Sequence, residues 1–155
     1  MKLKELNSVD VCEALKQGLL NHFSRSGVMN NPIKDIYTIT NPQQNLPDNY
    51  ITIMPNGSMD NRGYVAQGII LMEIYCKLLP DGSINKVKNN KVLEWIGAML
   101  DNDVIVREGY NNDVYVNRYY FSYSADYAFI DDINVEFGYS VKRLNIFFRK
   151  KTKLN

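Results

Sequence analysis

Between Tyr64 and Leu79 the even positions Ile70, Met72, Ile74, Cys76 and Leu78 are all apolar, while the odd positions mix Glu73 and Lys77 with Leu71 and Tyr75. Side chains of an extended chain alternate between faces, so this rhythm predicts a long strand with one core side. The same period governs residues 115–129, YVNRYYFSYSADYAF, where Tyr115, Tyr119, Phe121, Tyr123, Tyr127 and Phe129 fall on odd positions and Tyr120 is the only even aromatic. The other face carries Val116, Arg118, Ser122, Ser124 and Asp126. A helix would spread these rings around its circumference. The expectation is a strand over the whole segment, its aromatic row covering core and extending into a subunit interface, where such residues are enriched. A last strand is predicted from about Val135 to Phe148, with a fault in its rhythm. Tyr139 and Val141 put bulk on odd positions and Leu144, Ile146 and Phe148 on even ones, which predicts a bulge near Lys142 and Arg143 that keeps both sets on one face.

Helical spacing appears twice. Cys12, Leu15, Leu19 and Phe23 recur at intervals of three and four, with Asn7 or Ser8 as cap and Gly27 just past the end, predicting a helix to about Ser26. Val87, Val92, Leu93, Trp95, Ile96, Met99 and Leu100 predict a second helix from about Ile84 to Leu100, after a turn at Pro80, Asp81 and Gly82. Short strands are expected over 33–40, 50–54 and 104–108, and PNGSMDNRG (55–63) is expected as a polar loop with a turn at Asn56–Gly57. Strands that come in groups joined by short turns favour an α+β fold: a mainly antiparallel sheet with two helices packed on one face, in a single domain spanning 1–155. Residues 150–155 are expected as a basic, solvated C-terminal tail. The 19 asparagines gather in turn-like stretches such as NPQQN and YNND, which suits tight loops.

Charge alters this picture little. With 18 basic and 17 acidic residues the net charge of +1 gives no global field toward nucleic acid or anionic lipid, so nucleic acid is not an expected partner. Cys12 and Cys76 sit among apolar neighbours, as buried thiols in a reducing compartment do. The opening MKLKELNSVDV lacks the apolar run of a signal peptide, and GIILMEIYCKLL is too short and interrupted to span a bilayer, so an intracellular protein with no membrane partner is expected.

Candidate chemistry is sparse. The single histidine, His22, lies ten residues after Cys12 on the same predicted helix, about 15 Å along its axis, so the two cannot share a metal. A surface or rim position is expected for it. No Walker, HExxH, GxSxG or GxGxxG spacing occurs. The pairs Asp131–Asp132 and Asp101/Asp103 could bind a cation or act as acid and base, but acidic neighbours beside turn signals are expected as solvated turns.

The amphipathic opening helix, the strand YITIM after a proline-marked loop, the polar loop to residue 63, the strand ending EIYCKLL, the helix VLEWIGAML and the closing GYSVKRLNIFFRKK, whose bulky residues alternate with basic ones, together resemble the tail-terminator or tail-completion proteins of long-tailed bacteriophages. The resemblance implies a structural protein without enzymatic activity or cofactor. It implies a ring of identical subunits, six by the same likeness, that ends growth of the tail tube and docks a head-side connector protein. The implied location is the tail or neck of the virion, reached by assembly in the host cytoplasm. A closed ring asks for head-to-tail contacts between unlike patches. The expected contact makers are the loop around Met59, Asp60 and Arg62, with Met59 as an anchor and Asp60 and Arg62 pairing across subunits, and a second turn from Tyr110 to Asp113. The alternatives are another neck component of similar fold, a small nucleic-acid-binding module using the aromatic strand and basic tail, and an enzyme using the carboxylates.

Overall fold

The computed structural model describes residues 8–25, 33, 35–40, 44–57, 60–61, 65–101, 104–110, 115–123, 130–134 and 138–154 of the 155-residue chain. In chain order the elements are α1 (Ser8–Arg25), β1 (Asp35–Thr38), β2 (Asn49–Pro55), β3 (Asp60–Asn61), β4 (Val65–Lys77), α2 (Lys86–Asp101), β5 (Val104–Tyr110), β6 (Tyr115–Tyr123), β7 (Ile130–Asn134) and β8 (Tyr139–Leu154). The fold is therefore α+β, with two helices and one sheet. The strands lie in the order β1-β2-β4-β8-β6-β5, with β3 beside β4 and β7 beside β8. All pairings are antiparallel except β1 with β2.

The sheet is organised around β4 and β8, which pair without interruption from Val65↔Lys151 to Lys77↔Tyr139. Each has a broken strand on its other side. On β4, β2 pairs with residues 70–76 and β3 with 66–67; on β8, β6 pairs with 146–154 and β7 with 139–143. Gly57, with φ +82°, makes the turn after β2, and Gly138, with φ +75°, the turn into β8, a left-handed backbone that other residues rarely adopt.

One face of this sheet carries the core. Ile51, Ile53, Ile70, Met72, Ile74, Tyr119, Phe121, Leu144, Ile146 and Phe148 form a single buried cluster with Val11, Cys12, Leu15 and Leu19 of α1 and Val92, Trp95, Ile96 and Leu100 of α2. The cross-strand partners Ile51↔Ile74, Met72↔Leu144, Ile70↔Ile146 and Phe121↔Phe148 show why: period-two patterns on neighbouring strands fall in phase. α1 is joined to β1 by the Thr38 hydroxyl, which donates to the Glu13 carboxylate. α2 is capped by Asn85, whose Oδ1 accepts from the Lys88 amide at 3.2 Å, and Asn89 of the same helix donates to Ser140 Oγ of β8 at 3.4 Å.

Three expectations need correction. The closing strand has no bulge against β4: Leu144, Ile146 and Phe148 face the core while Tyr139 and Val141 lie on the opposite face, where they are also buried. The rhythm fails because β8 is covered on both sides at its start, and a rule that assumes one buried face must invent a bulge. Residues 150–154 are not a tail but the end of β8, opposite β4 and β6, and Lys150 and Thr152 are buried. The aromatic strand is present from Tyr115 to Tyr123, and its expected continuation to Tyr127 and Phe129 lies outside the described residues. Asp131 and Asp132 stand in β7, opposite Lys142 and Val141, and not in a turn.

Candidate functional site

The reverse face of the sheet divides into two regions of different chemistry. At the end where β8 begins, four tyrosines from four strands converge. Tyr50 of β2 stacks on Tyr75 of β4, its cross-strand partner, at 4.3 Å and 6° between planes. Tyr37 of β1 and Tyr139 of β8 meet Tyr50 edge-on at 6.0 and 5.6 Å. Two of their polar ends, those of Tyr75 and Tyr139, are satisfied within the molecule. The Tyr139 hydroxyl donates to the Pro47 carbonyl at 2.8 Å, Tyr75 donates to Glu73 at 3.2 Å, and Arg143 Nε donates to the same carboxylate oxygen at 3.2 Å. Burial, reinforced by the neighbouring phenols, holds Tyr50 well above the ordinary tyrosine range; burial and then Glu73 push Tyr75 up, and burial and then Asp48 push Tyr139 up. These phenols are structural, protonated groups at neutral pH.

Toward the other end of β8 the same face changes character. Tyr120, the even-numbered ring that broke the pattern of β6, stands here with the Arg149 guanidinium carbon 5.4 Å and Lys151 Nζ 6.0 Å from its centroid. The register explains the grouping: Tyr120 is opposite Arg149, and Arg118 is opposite Lys151. Beside them a shallow depression of about 630 Å³ is lined by Gln67, Ile69, Tyr120, Ser122, Phe147 and Arg149 among others. Gln67, Ser122 and Arg149 are exposed; Ile69, Tyr120 and Phe147 are half-buried. Among the described residues none of Arg118, Arg149 and Lys151 has an ion-pair partner.

Neither cysteine supplies a nucleophile. Burial, and secondarily Glu13, push the Cys12 thiol up to about 12; burial also raises Cys76, and the thiolate is the reactive form. Among the described residues no three His, Cys, Asp or Glu side chains gather as a metal site, and no helix is long and apolar enough to cross a membrane.

Of the residues expected at subunit contacts, Asp60 is exposed on β3, opposite Gln67, and Tyr110 ends β5, opposite Tyr115. β4, β8 and β6 lie between these strands, so the sheet does not bring the two expected patches together. Met59, Arg62 and Asp113 lie outside the described residues, as do the side chains of His22 and Tyr110. The sequence offered the aromatic strand and the basic end only as an alternative nucleic-acid module, without grouping Tyr120 with Arg118, Arg149 and Lys151, and it did not show the tyrosine cluster. The strip around Tyr120 had a signal: its even parity, shared with Arg118, and the period-two row Arg149, Lys151 and Lys153. The tyrosine cluster had none, because its members are far apart in sequence and only register unites them.

Comparison with protein-family models finds no match to this chain, and a search of curated proteins finds no similar sequence.

Proposed function

We propose that the chain is a structural subunit of a bacteriophage tail end, which joins copies of itself head to tail into a ring on the tail tube, ends its growth and docks the head-side connector. The observation that carries this reading is the pair of unlike sheet ends. Among the described residues β1 pairs only with β2, and in parallel, while β5 pairs only with β6. Edge strands offer unpaired amides and carbonyls that invite a further strand. Two different edges on one subunit suit a heterologous contact, which closes into a ring when the rotation allows. The separation of Asp60 from Tyr110 across the sheet fits the same demand for two unlike patches. The reading takes both helices to cover the core face, supported by the single cluster that α1, α2 and the sheet build together.

Light scattering over rising protein concentration tests it, with hydrogen exchange followed in residues 104–110. Assembly should raise the mass by a fixed multiple and slow exchange in β5. A monomer mass at every concentration, with β5 exchanging freely, overturns the reading. Neighbouring genes encoding tail tube, portal and capsid proteins would separate a tail-end protein from other ring formers.

A further inference from the structure

We infer that the strip of the reverse face centred on Tyr120 is a binding surface for single-stranded nucleic acid. The inference stands apart from the ring reading, since it rests on a different part of the molecule. It also departs from what net charge suggests, because a nearly neutral chain can still concentrate its cations locally.

Three features carry it. First, the cations oppose one another. Across three neighbouring strands the register sets Arg107 of β5 opposite Arg118 of β6, and Arg118 opposite Lys151 of β8. Like charges directly opposite on a sheet destabilise it, so the pair Arg118 and Lys151 is an arrangement that an anion relieves. Arg149 and Lys153 flank Lys151 along β8 at two-residue steps, which an extended backbone spaces about 7 Å apart. That repeat is close to the spacing of phosphates along a stretched single strand.

Second, among the described residues carboxylates are scarce around the row. Glu73, the acid of this face on β4, is engaged by Arg143 and Tyr75, and Asp60 is separated from Arg149 by β4. Third, the cations surround aromatic and polar groups and not a bare charged surface. Tyr120 and Phe147 are half-buried beside the depression, with Gln67 and Ser122 exposed at its sides. Single-strand binders pair a cationic track for the backbone with rings on which bases stack, and exposed amides and hydroxyls serve base edges. An acidic peptide would satisfy Arg118, Arg149 and Lys151 but leave Tyr120 and Phe147 without a flat partner.

The test is fluorescence anisotropy of a labelled oligothymidylate, with unlabelled polyglutamate as competitor. The full chain should bind at low salt with an affinity that falls steeply as salt rises. Arg149→Ala with Lys151→Ala should weaken binding at least tenfold and flatten the logarithmic salt slope by about 1.4, the share of two phosphate contacts on a single strand. Tyr120→Leu should weaken it between about fivefold and a hundredfold, whereas Tyr120→Phe should bind like the parent, as stacking requires a ring and not a hydroxyl. Arg149→Gln, at an exposed position, keeps the test open should the double variant fold poorly, and must itself flatten the slope. Absence of binding at low salt overturns the proposal. So does binding that polyglutamate displaces as readily as nucleic acid does, with Tyr120→Leu unchanged, which would make the strip a docking surface for an acidic protein segment.

Discussion

The tyrosine cluster and the Tyr120 strip occupy one face of one sheet, yet they use the same side chain for opposite ends. Around Tyr50 and Tyr75 the rings are stacked and hydroxyls are spent on internal partners: the Tyr139 hydroxyl donates to the Pro47 carbonyl, and that of Tyr75 to the Glu73 carboxylate. Around Tyr120 the ring is half-buried and its neighbours are cations with no ion-pair partner among the described residues. β8 runs through both. On its odd positions Tyr139 and Val141 are buried, Arg143, Asn145 and Phe147 are half-buried and Arg149 is exposed. The core face stays closed throughout, from Leu144 to Thr152 on the even positions. The strand is anchored on both sides at its start and on one side at its end, and the second half of its outer face is left available for contact. A closed half and an open half of the outer face are thus separated along a single strand, and this contrast can be attacked from either end.

The largest effect belongs to the core face. Phe121 is 1 % exposed and packs opposite Phe148, stacked 6.2 Å from Tyr119. Phe121→Ala opens a cavity there and should cost about 3 to 5 kcal/mol in urea unfolding. A cost below about 1 kcal/mol would mean that the aromatic row does not serve as core.

Alkaline pH probes the buried acids of both the core and the tyrosine cluster. Cys12 rises from 9.0 to about 12, and Tyr50, Tyr75 and Tyr139 all rise above 10.0, so in each case the folded state holds its proton more tightly than the unfolded chain. Stability is therefore complete below about pH 9 and is lost as pH climbs from there toward the folded values. At pH 10 Cys12 alone accounts for about 1 kcal/mol, since each unit between the two values is worth about 1.4 kcal/mol. Thermal melts of the parent and of Cys12→Ala from pH 8 to 11 should show the variant, although less stable at pH 8, losing less on the way up. Parallel slopes would refute the assignment.

A third substitution acts on the tyrosine cluster alone. Tyr139→Phe keeps the edge-on contacts with Tyr50 and Tyr75 and removes the hydrogen bond to Pro47. The buried end of the reverse face should lose about 1 kcal/mol, the net worth of one such bond. No change would show that the cluster rests on ring packing only.

The parts of this architecture legible in the sequence are those with one buried face. The even row of β4 and, on β6, Tyr119 and Phe121 gave the core correctly, and spacings of three and four gave α1 and α2 to within two residues at either end. β8 defeated the same rule because Tyr139 is packed against Tyr50 and Tyr75, and Val141, opposite Tyr75, is buried as well, a fact held in the register and not in the local pattern. Lys150 and Lys151 looked like part of a solvated tail since basic residues cluster in tails more often than in strands. Lys150 instead takes an even, core-side position at 2 % exposure, while its two neighbours meet Tyr120 on the other side. The parallel pairing of β1 with β2 and the breaks in β2/β3 and β6/β7 are likewise long-range features that no short window contains.

The smallest effect is expected where the outer face opens. Arg149 is exposed, and its contact with the Tyr120 ring is of the exposed kind, worth about 0.5 to 1 kcal/mol. Against this stands the repulsion from Arg118 and Lys151, which its removal relieves. The two terms oppose each other, so Arg149→Ala should shift stability by no more than about 0.5 kcal/mol in either direction. Salt separates them, because repulsion between exposed charges fades once the screening length falls to about 8 Å at physiological ionic strength. Unfolding in low and in physiological salt should therefore show the variant gaining ground on the parent at low salt and losing it as salt rises. A loss above about 1.5 kcal/mol, insensitive to salt, would mean that Arg149 holds the sheet together as Tyr139 does, and the contrast between the two ends of β8 would disappear.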